Sequence, residues 1–356
     1  MKLRITAPMR VDIGGGVTDV PQFSEEIGTA VVNIALDLYK DPGFTLPANV
    51  GVEISDTQRV ENRLFFNDRQ YGFDSRPGED LYFIKKIILK QLSSAASARN
   101  FDIAIFNTLP PGTGLGGSAV LSLCLFTALQ LFYARRNSRP SPRVILEAHE
   151  FETIDLGIKG GFQDYIAAYF GGCNYINFPS LAKSELVKAS TLGLTIPSHI
   201  EQFLNESMLV VILNEETISS SQIVQDEVEN FYADKQGVGA HLLAIKEHNA
   251  KLYEIMYQKK ISDMPSAIGV EMNQSWAHHK QLSSLIARSL LKDIEKTVQP
   301  LTYGLRGPGA AGNSLFLLAK PENKDEVIAY LSSLSHEITV LYPQVNQTGL
   351  RVISVE

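Results

Sequence analysis

Two cysteines, Cys124 and Cys173, are all that the 356 residues contain. That scarcity excludes a disulfide framework and a zinc-type ligand cluster, and leaves both thiols to the core. Positive charge is also in short supply: 32 Lys and Arg stand against 39 Asp and Glu, for a formal charge of −7 and a pI near 5.6. A general nucleic-acid-binding surface is therefore excluded, because such surfaces rely on many Lys and Arg contacts to phosphate. Any phosphate ligand has to be held locally. Long apolar runs are missing too. The most apolar window, Ala119 to Ala134, is interrupted by Gln130 and falls short of the roughly 20 residues that cross a bilayer, so it reads as a buried helix. The opening MKLRITAPMR lacks the apolar stretch of a secretory signal, and no lipidation or sorting tag is legible at the other end, which points to the cytoplasm and to no membrane partner.

What is present is an ordinary globular composition, 44% hydrophobic and 20% charged, with enough apolar mass for a substantial core and two domains. Short β-like runs (Lys2–Ile5, Gly51–Ser55, Phe101–Phe106, Cys173–Phe178, Met208–Leu213) interleave with helical periodicity at Leu81–Leu92, Ser118–Arg136 and near Met272–Leu291. This mixture predicts an α+β fold. Pro140 and Pro142 end the second helix and allow another through Ile145–Ile154. A final helix, Asn323–Ser333, precedes two strands, Ile338–Leu341 and Leu350–Val355, whose terminal position predicts docking into a sheet. The turn-rich stretch Pro179–Ser198 marks the domain boundary, dividing the chain into 1–188 and 189–356.

The strongest local feature is Leu109-Pro110-Pro111-Gly112-Thr113-Gly114-Leu115-Gly116-Gly117-Ser118-Ala119, between a strand and a long apolar helix. Glycines let successive backbone N–H groups converge, and a helix N-terminus adds partial positive charge, so such a loop binds phosphate without a lysine. Gly112-x-Gly114-x-x-Gly117 matches a dinucleotide fingerprint in form, but the second strand and acidic residue that reading needs are replaced by Pro140 and another helix. The ATPase P-loop needs a Gly-Lys-Ser/Thr ending that is absent. A glycine turn capping a core helix, with Ser118 as N-cap, remains the structural alternative. Two further glycine loops favour phosphate: Ala7-Pro8-Met9-Arg10-Val11-Asp12-Ile13-Gly14-Gly15-Gly16-Val17-Thr18-Asp19 and Gly304-Leu305-Arg306-Gly307-Pro308-Gly309-Ala310-Ala311-Gly312.

In order and spacing these loops resemble the three motifs of the GHMP kinases, whose middle signature is Pro-x-x-x-Gly-Leu-Gly-Ser-Ser-Ala. The resemblance is greatest to kinases of D-glycero-D-manno-heptose 7-phosphate. It extends through Ala30-Val31-Val32-Asn33, Gly160-Gly161 with Gln163-Asp164, Ala167-Ala168, Gly171-Gly172, Ser219-Ser220-Ser221, and Trp276 with Lys280. It implies an N-terminal domain similar to ribosomal protein S5 domain 2, a ferredoxin-like C-terminal domain and an active site between them. ATP is the implied phosphoryl donor, Mg²⁺ the metal, and a sugar or sugar phosphate the partner. Homodimerisation stays open.

By the same resemblance Asp164 is the catalytic base and Arg10 the cation beside it, which favours the ionised carboxylate. Pro111, Gly112, Thr113, Gly114, Leu115, Gly116, Gly117 and Ser118 hold the nucleotide, and Ser118 with Glu152 holds the metal. Gly15, Gly16, Thr18, Asp19, Gly161, Gly307 and Gly309 surround the sugar. Each has a plainer alternative: Asp164 as a helix cap, Glu152 on a solvated face with Glu147 and Glu150, Asp19 in an exposed turn. All seven histidines read as structural or surface residues, since none has metal-ligand spacing, and Trp276, Phe126 and Phe132 read as core.

The chain departs from the family pattern at Gly117, where a serine is usual. In the third loop Arg306 and Pro308 replace Ser/Thr and Ala, and Asn313 follows in place of an apolar residue. Phe162 stands where lysine is frequent, Tyr165 where glutamine is, and Ile218 where arginine is. Two lost cations weaken recognition of a phosphorylated sugar, with Lys159 the nearby substitute. The expected activity is transfer of the ATP γ-phosphoryl group to a sugar hydroxyl, by resemblance the anomeric one of a heptose or heptose 7-phosphate. The alternatives are a fucose- or galactose-type kinase, or a homologue that binds sugar and nucleotide without turnover.

Overall fold

In this computed structural model the residues described are 1–41, 47, 49–59, 61–74, 76, 81–94, 99–106, 109–110, 112–178, 193–194, 196–214, 218–257, 263–286, 289–310 and 312–355. Alternation of apolar side chains builds the first sheet. In β1 (Lys2–Ala7), β4 (Val50–Asp56) and β7 (Phe101–Phe106) the pairing register sets Ile5, Val52 and Ile105 in one row and Leu3, Ile54 and Ile103 in the next. Period-2 patterning of this kind gives the sheet one apolar face. That face is covered by α2 (Tyr82–Ser94) and α3 (Gly117–Ala134). The sheet order is β14-β1-β4-β7-β5-β6, with β5 Arg63–Phe66, β6 Arg69–Tyr71 and β14 Arg351–Ser354. The last strand thus lies antiparallel beside the first, and the expected docking of the terminal strand is found.

The second sheet runs β11-β12-β10-β13-β3-β8-β9, with β2 (Met9–Gly14) also paired to β3 (Thr29–Tyr39). Its other strands are β8 (Cys173–Phe178), β9 (Gly193–Leu194), β10 (Met208–Leu213), β11 (Thr302–Arg306), β12 (Ser314–Ala319) and β13 (Ile338–Val345). Strand β3 reaches both halves of the chain because its eleven residues pair with β8 at one end and β13 at the other. Strand β10 is buried throughout. Its Val210 and Ile212 join the core under α3, and its Leu209, Val211 and Leu213 join a second core with Trp276 and Phe231. A strand covered on both faces reads as a continuous apolar run. Both sheets draw strands from both halves of the chain. The division placed at 188/189 lies outside the described residues.

Helix α3 is apolar and long enough to cross a membrane by composition, yet it is mostly buried inside the protein. Gln130, the one interruption, hydrogen-bonds Glu147 on α4 (Arg143–Glu150). Cys124 and Cys173 are buried free thiols, pushed up by burial, the latter to about 12. The helix expected near Met272–Leu291 is divided: α9 (Met264–His279) ends in turns, and α10 (Ser289–Val298) follows. Between them Ser283 bonds Asp226 and accepts from the Leu285 amide, offering the backbone an alternative to helix. Leu282 and Ile286 are buried there all the same, which is why their spacing read as helical. The helices between are α5 (Gln163–Phe170), α6 (Ser198–Ser207), α7 (Ser220–Ala233) and α8 (Lys235–Tyr257); α1 (Pro21–Ile27) lies earlier and α11 (Lys324–Ser333) later.

Candidate active site

The three glycine loops come together. Gly112, Gly114 and Gly116 all take positive φ, 77°, 71° and 81°, a region that L side chains avoid. Gly116 is the N-cap of α3 and makes no side-chain cap. Ser118 is therefore not the cap; it is exposed within the first helical turn, where backbone N–H groups lack helical acceptors. The third loop clasps this one: Asn313 Nδ2 donates to the Gly112 carbonyl at 2.8 Å, and the Ser314 hydroxyl donates to Thr113 O. The first loop joins through Arg10, whose guanidinium donates to Gly114 O at 2.5 Å. Asn313, a departure from the family pattern, thus serves as a loop-to-loop tie.

Arg10, on β2, is 4% exposed. Its Nε donates to Asp164 Oδ1 at 2.5 Å and its Nη1 lies 3.4 Å from Asp12 Oδ1. Burial works against its charge, but Asp164 and then Asp12 outweigh that and raise its affinity for the proton. Asp164 sits in the first turn of α5, behind the N-cap Phe162 and without a capping bond, so the cap alternative is not what the structure shows. Its side chain is 24% exposed and faces Gly116, where an added Cβ would come within 3.0 Å of the carboxyl carbon.

Asp12 is fully buried and accepts from the Gly309 amide at 2.6 Å, the Gly16 amide at 2.9 Å and Arg306 at 2.7 Å. Burial would raise its pKa, but Arg306, Arg10 and the Gly309 amide together hold it below the usual carboxylate range. Sequence reasoning assigned Asp12 no role. The signal was available, because Asp12 lies two residues from Arg10 on one strand and so shares its face.

Asp19 is buried and accepts from the Gln163 backbone N–H at 2.8 Å and its side-chain amide at 3.0 Å. Burial and then the charge of Asp164 push its pKa up to about 7, against the opposing pull of Gln163 and Arg10. It is no exposed turn residue, and it requires Gly161, where a Cβ would land 2.0 Å from its Oδ2. Gln163 went unassigned at the sequence level although it ties Asp19 to Gly16.

A cavity of about 740 Å³ opens at this junction. It is lined by Gly112, Thr113, Gly114, Gly116, Gly117 and Ser118 of the central loop, together with Arg10, Gly16, Asp19, Glu152, Gly161, Asp164 and Gly309. Four expected residues are not on its wall. Leu115 is core; Thr18 is buried, donating to Ala30 O at 3.0 Å; Gly15 packs on Val31; and Gly307 accepts from Arg306 within the loop. Pro111 lies outside the described residues.

Glu152 occupies a π-helical turn, Phe151–Asp155, continuing α4, a local widening that often marks functional positions. The carboxyl is 6% exposed rather than on a solvated face, its Oε1 has no hydrogen-bond partner, and burial pushes its pKa up to about 8, opposed by the Tyr165 hydroxyl. Tyr165, another departure, is thus a neighbour of this carboxyl. An unpartnered buried carboxyl oxygen and the Ser118 hydroxyl, both in the lining of one cavity, are donors of the kind a hard divalent cation takes, with room left for water and phosphate. No cluster of three or more His, Cys, Asp and Glu able to cage a metal forms among the described residues.

A glycine loop at a helix N-terminus, an arginine-braced aspartate and a buried carboxyl thus line one cavity, an arrangement suited to a small-molecule phosphotransferase. Residues 82–172 match the family model described as the GHMP kinases N terminal domain, and kinases of this type draw on ATP. The chain is 25% identical over 338 residues, 92% of this chain and 93% of the relative, to a D-glycero-alpha-D-manno-heptose 7-phosphate kinase of Campylobacter jejuni. It is 20% identical to the bifunctional fucokinase/GDP-fucose pyrophosphorylase of Arabidopsis thaliana, over 92% of this chain but 31% of that one. In structure it superposes with a TM-score of 0.73 on a D-glycero-D-manno-heptose 1-phosphate kinase from Bacteroides thetaiotaomicron, at 19% identity and 99% coverage of both chains.

Proposed function

We propose that this protein is a cytoplasmic sugar kinase that transfers the γ-phosphoryl group of ATP to a hydroxyl, the anomeric one, of a heptose or heptose 7-phosphate. The observation that carries the reading is the 2.5 Å Arg10–Asp164 contact at the mouth of the central glycine loop, in one cavity with Ser118 and Glu152. Triphosphate oxygens are received by the backbone amides of residues 112–118 and the α3 N-terminus. Phe66, Tyr82, Phe83 and Leu121, also in the cavity lining, are apolar and aromatic side chains that suit a planar base. Ser118 and Glu152 would hold Mg²⁺, which when bound neutralises charge developing on the transferred group. Asp164 orients the acceptor hydroxyl and receives its proton, with Arg10 fixing the carboxylate in place. Gly161 and Gly309 keep the acceptor end open, and Asp19 shapes it through Gln163.

The relative's substrate, a heptose 7-phosphate, needs a cation at its far end. Lys159 lines the cavity and is assigned that role. A second reading, an unphosphorylated deoxy sugar, is favoured by Val17, Val20 and Val224 in the same cavity lining and by the fucokinase relative. An ADP-release screen of heptoses, hexoses and deoxyhexoses, with and without a terminal phosphate, separates the two. The heptose 7-phosphate reading expects the phosphorylated heptose to lead and Lys159→Ala to raise its KM at least about tenfold. Asp164→Asn is expected to lower kcat by about 10²–10⁴ with nucleotide still bound; near-normal turnover in that variant would remove the assigned base.

A further inference from the structure

Behind Arg10 runs a line of buried groups that the catalytic reading does not use. Arg306, at the end of β11, is 0% exposed. Its Nη2 lies 2.7 Å from Asp12 Oδ2 and 3.3 Å from His279 Nδ1, and its Nη1 lies 3.4 Å from the Ser275 hydroxyl. Burial and then the Arg306 charge push the His279 pKa down to about 3. The imidazole is therefore neutral, accepting at Nδ1 from Arg306 and donating at Nε2 to Glu227 Oε1, 3.1 Å away. Burial, and then the charge of Asp226, push the Glu227 carboxyl well above the usual carboxylate range. The charges that remain alternate in space: Arg306, Asp12, Arg10, Asp164.

We propose that Arg306 and Asp12 are positioning residues for phosphoryl transfer, a buried ion pair that seats the third loop on the other two and sets Arg10 against Asp164. The inference rests on the kinase reading above. Three observations carry it. Asp12 joins all three partners at once, accepting from Gly309 of the third loop, Gly16 of the first and Arg306. Gly309 has no room for a side chain, since a Cβ would meet Gly114 O at 2.6 Å and Arg10 Nη2 at 2.9 Å. Arg10 has its Nη1 on both Asp12 and Gly114 O while its Nε serves Asp164. Asp12 without Arg306 would draw Arg10 toward itself and away from Asp164, because a buried carboxylate left short of positive charge is costly. An arginine at 306, where the family resemblance leads one to expect serine or threonine, thus has a reason in the charge of Asp12.

The test compares Arg306→Met and the double variant Asp12→Asn/Arg306→Met, which removes the pair without stranding a charge. Turnover is expressed per nucleotide site, counted by calorimetry with a non-hydrolysable ATP analogue. Both variants are expected to bind one analogue per chain with Kd within about threefold of the parent, and to show kcat per site lower by about 10–100-fold, the scale of an ångström-sized misplacement. Arg306→Lys, which keeps the charge and loses the fork, is expected in between. Parental kcat per site in either folded variant overturns the proposal. So does loss of binding sites in proportion to activity, or failure of both variants to fold, since the pair then only maintains the fold. Asp164→Asn run alongside keeps the two readings apart: if it turns over normally the assigned base is wrong, whatever Arg306 does.

Discussion

Glu152 shows what burial does to one carboxyl in this site. Its folded pKa of about 8 lies above the ordinary 4.5, so between those values the folded chain keeps a proton that the unfolded chain has lost. Stability of the metal-free protein therefore falls as pH rises from about 4.5 to 8 and levels off above. Glu152→Gln cannot ionise and escapes that loss. In EDTA at pH 8.5 it is expected to be more stable than the parent by on the order of 2–4 kcal/mol, and at pH 4.5 nearly equal. Mg²⁺ is expected to raise the melting temperature of the parent at pH 8.5 and to do little for the variant. Thermal melts at the two pH values decide it, and an equal gap at both would refute the buried-carboxyl account. Asp19, pushed up to about 7, illustrates the limit of sequence reading at this scale. Its acidic character was evident, but its engagement by Gln163, 144 residues away, depends on the fold.

At the scale of elements the site is three turns held in unusual backbone conformations. The strand–loop–helix unit around 112–118 was legible because glycine spacing, a preceding β pattern and an apolar helix occur together in a short stretch. The cap was not, since both Gly116 and Ser118 are common at N-caps, and the choice of Gly116 follows from its φ of 81° and from Asp164 lying over it. Gly116→Ala is expected to cost about 1–2 kcal/mol for the left-handed backbone alone and to displace Asp164, so turnover should fall further than stability accounts for. Melts together with kcat measured well below the midpoint check this, and unchanged kcat would place Asp164 elsewhere. The π-turn at Glu152 left no sequence signal, because Phe151–Asp155 continues the periodicity of α4.

For the whole molecule, the meeting of chain ends is the governing feature. Strand β14 completes the edge of the first sheet beside β1, and β13 joins β3 to the strands of the second half. Removing residues 351–356 would uncover the β1 edge, a row of unpaired backbone donors and acceptors open to other chains. The truncated protein is expected to melt several degrees lower and to associate in a concentration-dependent way in light scattering. A monodisperse variant with the parental melting temperature would show that β14 contributes nothing to the sheet.

What the sequence by itself determined was local: which stretches alternate, which carry glycine where only glycine fits, and which acids stand in motif positions. These depend on backbone sterics and side-chain periodicity over a few residues, and they sufficed for the α+β class and for the strand–glycine loop–helix unit. Only the tertiary structure decided that Arg306, His279, Asp12 and Arg10 form one buried line, that Thr18 and Gly15 stand outside the cavity lining, and that Glu152 keeps one oxygen unpartnered in it. The physical reason is that burial and charge pairing are long-range. A carboxylate or guanidinium takes its role from whichever partner the fold brings within about 3 Å, the reach of a hydrogen bond, and sequence spacing does not encode that distance.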